Sequence, residues 1–235
     1  KEFQINSKKS IVSNDPLLTD LRLLLNDDIT SKSNKVKILD LLLFHYREKG
    51  QSIEFKTLYK QHKTLFNNQL LKLYYWESDF YNNDRNYQKS LIAARNHLQE
   101  AKRNGGNNEL STSYRIIAKS NMFLNNKDSS LYYSNLSINF ARRSDSDNAV
   151  LSTFKTQSEI YNHFGMIGQS TSVLIKFIDE AEKNKDEKNI CWGTIQIAQK
   201  SVQIRYYNEA KAYYRKALRV AEKNDATFYA SIIYR

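Results

Sequence analysis

The chain has 235 residues, 40% of them hydrophobic, with 16 Tyr and 11 Phe, which is enough apolar material for a sizeable core. One proline and six glycines are too few for a β-rich fold built on tight turns, and a single cysteine rules out an internal disulfide. The formal net charge of +11 suits an anionic partner, yet no run of five basic residues forms a tail, and a charge this dispersed also fits solvated helix faces.

Residues 1–13 read as a tail. Asp15-Pro16 marks a helix start, because proline at the first helical position lacks only an N–H that would be unpaired anyway. Leu17, Leu18, Leu21, Leu24 and Leu25 then make a short capping helix, so residues 1–33 form a tail and cap. Residues 34–69 read as an irregular helix pair, with helices over 34–49 and 52–66 hinged at Gly50. Its inward residues are Leu39, Leu42, Leu43, Tyr46, Phe55, Leu58 and Tyr59.

From residue 70 a fixed register takes over. Ala101, Ala141, Ala181 and Ala221 stand 40 residues apart. Leu98, Ile138, Ile178 and Leu218 share one phase, and Ser90, Ser130, Ser170 and Ala210 another. The basic positions Arg103, Arg143, Lys183 and Lys223 repeat as well. A period in this range marks stacked supersecondary units. Residues 70–229 hold four such repeats, each of two helices, and 230–235 begin a further one, with Tyr234 in phase with Tyr74, Tyr114 and Phe154. The natural protein is therefore expected to continue past Arg235.

Within the last full repeat, Tyr207, Ala210, Tyr213, Tyr214, Ala217, Leu218 and Ala221 draw an apolar stripe at spacings of three and four. The first helix carries Ile195, Ala198, Val202 and Ile204. Small residues recur at its middle, Ser78, Ala118, Ser158 and Ala198, where a partner helix must come close. Turns within repeats fall at 83–86, 125–128, 165–168 and 205–207. The tyrosine pairs at 206–207 and 213–214 sit at packing positions of the repeat rather than on a base-stacking platform.

These residues resemble tetratricopeptide repeats. The family pattern runs aromatic, small, aromatic and glycine on the first helix, then aromatic, small, aromatic and small on the second. Residues 151–190 supply Phe154, Ser158, Tyr161, Gly165, Ile167, Ser170, Leu174 and Phe177, and residues 191–230 supply Ala198, Tyr207, Ala210, Tyr214 and Ala217. The 40-residue unit exceeds the usual 34 and is similar to the longer-helix variety of scaffold and bacterial regulator proteins. The resemblance implies an all-α, right-handed solenoid of stacked antiparallel helix pairs with a concave groove lined by first helices. It also implies a protein or peptide ligand.

The family's groove positions fall on Lys72, Tyr75, Asp79, Asn82, Arg115, Lys119, Met122, Lys155, Glu159, Asn162, Gln199 and Val202. Arg115, Lys119 and Lys155 suit an acidic ligand or a free carboxylate, since charge-assisted hydrogen bonds are the stronger ones. Lys72, Tyr75, Glu159, Asn162 and Gln199 complete the expected binding set. The reading is a non-catalytic binding scaffold, the sensor or interaction part of a larger bacterial regulator. The alternative is a helical repeat that binds nucleic acid through dispersed positive charge.

No catalytic, metal or cofactor motif accompanies this pattern. His45, His62, His97 and His163 are scattered, with no ligand partner three or four residues away, and His97 lies on an apolar stripe as a core histidine would. Cys191 reads as a small buried hydrophobe. No apolar run approaches the length of a membrane span, and a soluble, cytoplasmic chain is expected.

Overall fold

The computed structural model describes residues 16–223; the Tyr234 register, the tail and the expected further repeat lie outside them. Among the described residues there are eleven α-helices, one short 3-10 turn and no strand. They divide into two compact units, before and after the Asn86–Tyr87 junction.

The first unit contains α1 (Pro16–Asn26), α2 (Lys32–Glu48), α3 (Ser52–His62) and α4 (Leu70–Asn83), with a 3-10 turn over Lys63–Phe66. Pro16 is the first residue of α1, and Ser31 caps α2 by accepting a hydrogen bond from the Asn34 amide. Gly50 turns the chain with φ +67°, a conformation that costs glycine nothing. The expected inward residues of α2 and α3 are all buried, and Phe66 and Trp76 join their cluster. In α1 the buried leucines are Leu18, Leu21 and Leu25, while Leu17 is exposed because it falls on the outer side of the helix.

The second unit contains α5 (Tyr87–Asn104), α6 (Asn107–Phe123), α7 (Lys127–Ala141), α8 (Asp147–His163), α9 (Ile167–Lys183), α10 (Glu187–Gln203) and α11 (Tyr207–Lys223). Each helix packs on the next, giving the antiparallel pairs α6/α7, α8/α9 and α10/α11. The small residues of the register are buried at the crossings, Ala118, Ser158 and Ala198 in the first helices and Ser130, Ser170 and Ala210 in the second. Ser130 Oγ donates to the Ala118 carbonyl at 2.8 Å, and Ser170 Oγ to the Ser158 carbonyl at 2.9 Å, so the hydroxyls carry their own partners into the core. In α6–α8 the hydroxyls of Ser111, Ser137 and Thr153 form a further buried group.

The turns inside repeats share one geometry. Arg85, Asn125, Gly165 and Arg205, spaced one repeat apart, all have φ between 57° and 72°. Each is followed by a backbone bond reaching back five residues, such as Met166 N to Tyr161 O at 2.8 Å and Tyr206 N to Ser201 O at 2.7 Å. That is the left-handed helix ending favoured by glycine, held at three of the four positions by side-chain-bearing residues.

Part of the last stripe does not pack. Tyr206, Tyr207, Val202 and Ile204 are exposed, because no described element covers that side of α10 and α11. Ala210, Ala217 and Ala221, which face α10, are buried. Cys191 of α10 is buried against Ala217 and Ala221 of α11, and burial pushes its thiol up to about 11.

His97 of α5 is buried beside Ser113, with Nδ1 and Oγ 2.7 Å apart. The Ser113 hydroxyl donates to the Glu109 carbonyl, which leaves its oxygen to accept from His97 Nδ1–H. Burial first, and then the nearby Arg115, lower its pKa to about 4, against a weaker upward pull from Glu109. An unfolded histidine titrates near 6.5, so the unfolded chain takes up the proton first as pH falls. Above pH 6.5 His97 is neutral in both states, and stability is lost progressively between 6.5 and about 4. At pH 5 the loss is expected to be about 2 kcal/mol. Urea unfolding read from Trp192 at pH 7.5 and pH 5 should show it, and His97→Asn, which keeps a donor for Ser113, should remove most of the difference. Equal pH profiles for the two proteins would sink this assignment.

Candidate functional site

Within the second unit the first helices α6 and α8 contact each other directly, in addition to their partners α7 and α9. No pair of second helices does so to a comparable extent among the described residues. α6 and α8 thus approach each other more closely than α7 and α9 do, while α8 and α10 are joined by side chains.

Side chains bridge the row of α6, α8 and α10 at three places. Lys119 of α6 lies 3.8 Å from Glu159 of α8. Lys200 of α10 donates through Nζ to Asn162 Oδ1 of α8 at 2.9 Å. Lys155 of α8 stands over the Trp192 ring of α10, 4.6 Å from its centroid, a cation–π geometry. Trp192 in turn meets the buried Phe177 edge-on at 5.1 Å, so the platform is fixed from behind.

Lys200 is unusual in being buried, at 7% exposure. Burial lowers its pKa from the ordinary lysine range, and Glu159 pulls the other way. Lys119 of α6 and Lys200 of α10 thus each meet a side chain of α8, Glu159 and Asn162 respectively. Exposed ion pairs such as Lys119–Glu159 contribute little to stability, roughly 0–1 kcal/mol. Their grouping on one row matters more for what the surface attracts.

Of the residues expected from the sequence, Lys119, Lys155, Glu159 and Asn162 are brought together on this row. Arg115 is half-buried on α6, one turn before Lys119. Gln199 is exposed on α10, its Oε1 accepting from Gln196 at 3.1 Å. Met122 is buried against Ala118 and Ile160 and so belongs to the core. Lys72 and Tyr75 belong to the first unit, where they face α2: Lys72 Nζ reaches Asp40 at 2.7 Å, and the Tyr75 hydroxyl accepts from Arg47. Lys200 and Trp192 were not anticipated. Lys200 shares its phase with Phe80, Ser120 and Ile160, and a lysine in that buried series was the available signal.

Among the described residues no group of three or more His, Cys, Asp or Glu side chains is placed to hold a metal, and no helix is long and apolar enough to cross a membrane.

No family model matches the chain, and no curated protein matches it. Solved structures do. The chain superposes on BtubC (BKLC) from P. vanneervenii with a TM-score of 0.61 at 13% identity, covering 88% of each chain. A Rap protein complexed with competence and sporulation factor gives a TM-score of 0.68 at 11% identity, over 92% of this chain and 67% of that one. A signal transduction ATPase with a tetratricopeptide repeat sensor, from Pyrococcus horikoshii, gives 0.61 at 12% identity over 89% of this chain and 34% of that one. The fold is thus an all-α solenoid of tetratricopeptide-repeat type. Identities this low establish the fold and leave function to the site.

Proposed function

We propose that the chain is a non-catalytic scaffold that binds a peptide or partner protein along the row of α6, α8 and α10, as the sensor or interaction part of a larger bacterial regulator. The observation that supports this is the grouping on α8 of Glu159, met by Lys119, and Asn162, met by Lys200, with Lys155 over Trp192 beside them. Cations with an aromatic platform between them suit a ligand bearing a carboxylate, from an acidic side chain or a chain end. The neighbours fit the reading: one was solved in complex with competence and sporulation factor, and another uses its repeats as a sensor. The alternative, nucleic-acid binding through dispersed charge, draws no support from these neighbours.

The test compares wild type with Lys119→Glu/Lys155→Glu in a quantitative pull-down from nuclease-treated native lysate. A protein partner held by wild type should be lost at least about tenfold from the variant, since charge reversal beside a charged contact costs more than about 1.4 kcal/mol. Recovery of the same proteins by both would overturn the assignment. Retention found only in a parallel lysate left without nuclease, and falling steeply with salt, would select the nucleic-acid reading instead.

A further inference from the structure

The other side of α8 carries a second feature. A slot of about 330 Å³ lies between the second helices α7 and α9, floored by Phe154, Gln157 and Tyr161 of α8. At about 100° per residue these three project away from the side that bears Lys155, Glu159 and Asn162. The slot exists because second helices do not close on one another as α6 and α8 do.

Its lining combines three chemistries. Phe154 and Val173 supply a buried apolar floor. Three amides, Asn135, Gln157 and Gln169, come from three helices. Gln157 is 5% exposed, and its Nε2 donates to Asn135 Oδ1 at 2.9 Å, which fixes both amide groups. The only charged side chains of the lining are Arg142 and Lys176, one on each wall and both exposed, with no carboxylate among the lining residues.

Length and width narrow the occupant. From Asn135 to Arg142 the wall rises about 10 Å. Two turns of a helical ligand, about 10 Å across, would need roughly 800 Å³, well over twice the space. An extended strand lays about three residues along the same length. Side-chain amides offer a donor and an acceptor each, as a peptide backbone requires.

We infer that this slot binds an extended peptide segment carrying acidic side chains, with Arg142 and Lys176 receiving its carboxylates and Asn135, Gln157 and Gln169 pairing with its backbone. The site is separate from the row of α6, α8 and α10 and opens on the opposite face of α8.

The experiment pans a phage-displayed random hexapeptide library on the Lys119→Glu/Lys155→Glu protein, so that the row of α6, α8 and α10 cannot select. Enriched peptides should carry at least two Asp or Glu residues. Synthesised, they should bind at least about tenfold more weakly to a protein that also carries Arg142→Glu/Lys176→Glu, with Arg142→Lys/Lys176→Arg restoring most of the affinity. Thermal melts of the slot variants should coincide with that of their Lys119→Glu/Lys155→Glu parent, because Arg142 and Lys176 are exposed. No enrichment, enrichment without acidic residues, or equal binding to the slot variant would overturn the proposal. Displacement of the peptide by an equal concentration of inorganic phosphate would mark a simple anion site and overturn it too. The row of α6, α8 and α10 is already reversed in this protein, so failure here leaves the reading of that row standing, and the lysate experiment tests that row with the slot intact.

Discussion

Arg47→Ala should destabilise the first unit by about 3 kcal/mol, nearly all of it from one side chain that joins α2 to α4. Arg47 Nη1 donates to the Tyr75 hydroxyl and, at 3.0 Å, to Asp79 Oδ2. Its guanidinium lies over the rings of Phe44, Trp76 and Tyr75, at 4.9, 5.3 and 5.8 Å from their centroids. A planar cation can bond at its edge and stack on its face at once, which a lysine cannot. Burial works against the charge, but Tyr75, Asp79 and Glu48 more than offset it, and the guanidinium stays protonated with its pKa raised.

Removal of Arg47 strands Asp79, whose side chain is only 13% exposed. A fully buried pair broken this way loses 3–5 kcal/mol, and the remaining exposure of Arg47 places the expected value at about 3. The neighbouring Lys72–Asp40 pair is more than a third exposed on both sides, so its loss should cost under about 1 kcal/mol. The chain has two tryptophans, Trp76 in the first unit and Trp192 in the second, so each unit has its own reporter. Urea unfolding followed through Trp76 in a Trp192→Phe background gives the number. Arg47→Ala/Asp79→Asn should recover about 1–2 kcal/mol of the loss, because the stranded carboxylate is then neutral. A single-variant loss below about 0.5 kcal/mol would show that the cluster is ornamental.

Period and residue size together made the helix pairs legible. Ala101, Ala141 and Ala181 could be located without coordinates because a crossing that excludes a larger side chain leaves an alanine every 40 residues, and all three are buried. Where geometry does not restrict residue type so tightly, the register fell silent. Arg85 and Arg205 adopt the same left-handed turn as Gly165, yet nothing in their chemistry announces it; only Asn125, a residue that tolerates this conformation, carries a signal. Tyr207 and Val202 carry the spacing of a packed stripe and are exposed, since a stripe states which side is apolar and not whether a neighbour lies there.

The candidate site was legible in outline and not in pairing. Helical spacing put Lys119, Lys155, Glu159 and Asn162 on one face, but which lysine meets which acceptor depends on the offset between neighbouring helices. Lys200 was hidden by its own burial: a charged residue in a core phase reads as an irregularity until Asn162 is seen beside it. The slot behind α8 depends on the gap between α7 and α9, a distance that no single-helix pattern encodes.

Gly193 shows the same register acting in reverse. Its phase-mates Ser113 and Thr153 are small and buried, and glycine is the limit of that series. In an exposed helix interior Gly→Ala would gain about 1 kcal/mol. Here a Cβ would stand 2.8 Å from Ile178 Cγ1 and 2.9 Å from Phe177 Cδ1. Phe177 is 1% exposed and held by Trp192, so its ring has nowhere to move. The propensity gain and the clash should leave Gly193→Ala destabilised by about 1 kcal/mol. Gly193→Leu, with three more carbons in the same space, should lose about 3 kcal/mol, the upper end for overpacking. The second measurement would be urea unfolding read from Trp192 in a Trp76→Phe background, where Phe177→Leu should restore part of the stability of Gly193→Leu by freeing volume. Stabilisation by Gly193→Ala would mean that α9 and α10 can separate at no cost. Since α10 presents Trp192 and Lys200 to α8, that outcome would also mean the binding row has no fixed spacing, and a mobile row could not hold Lys155 over its ring.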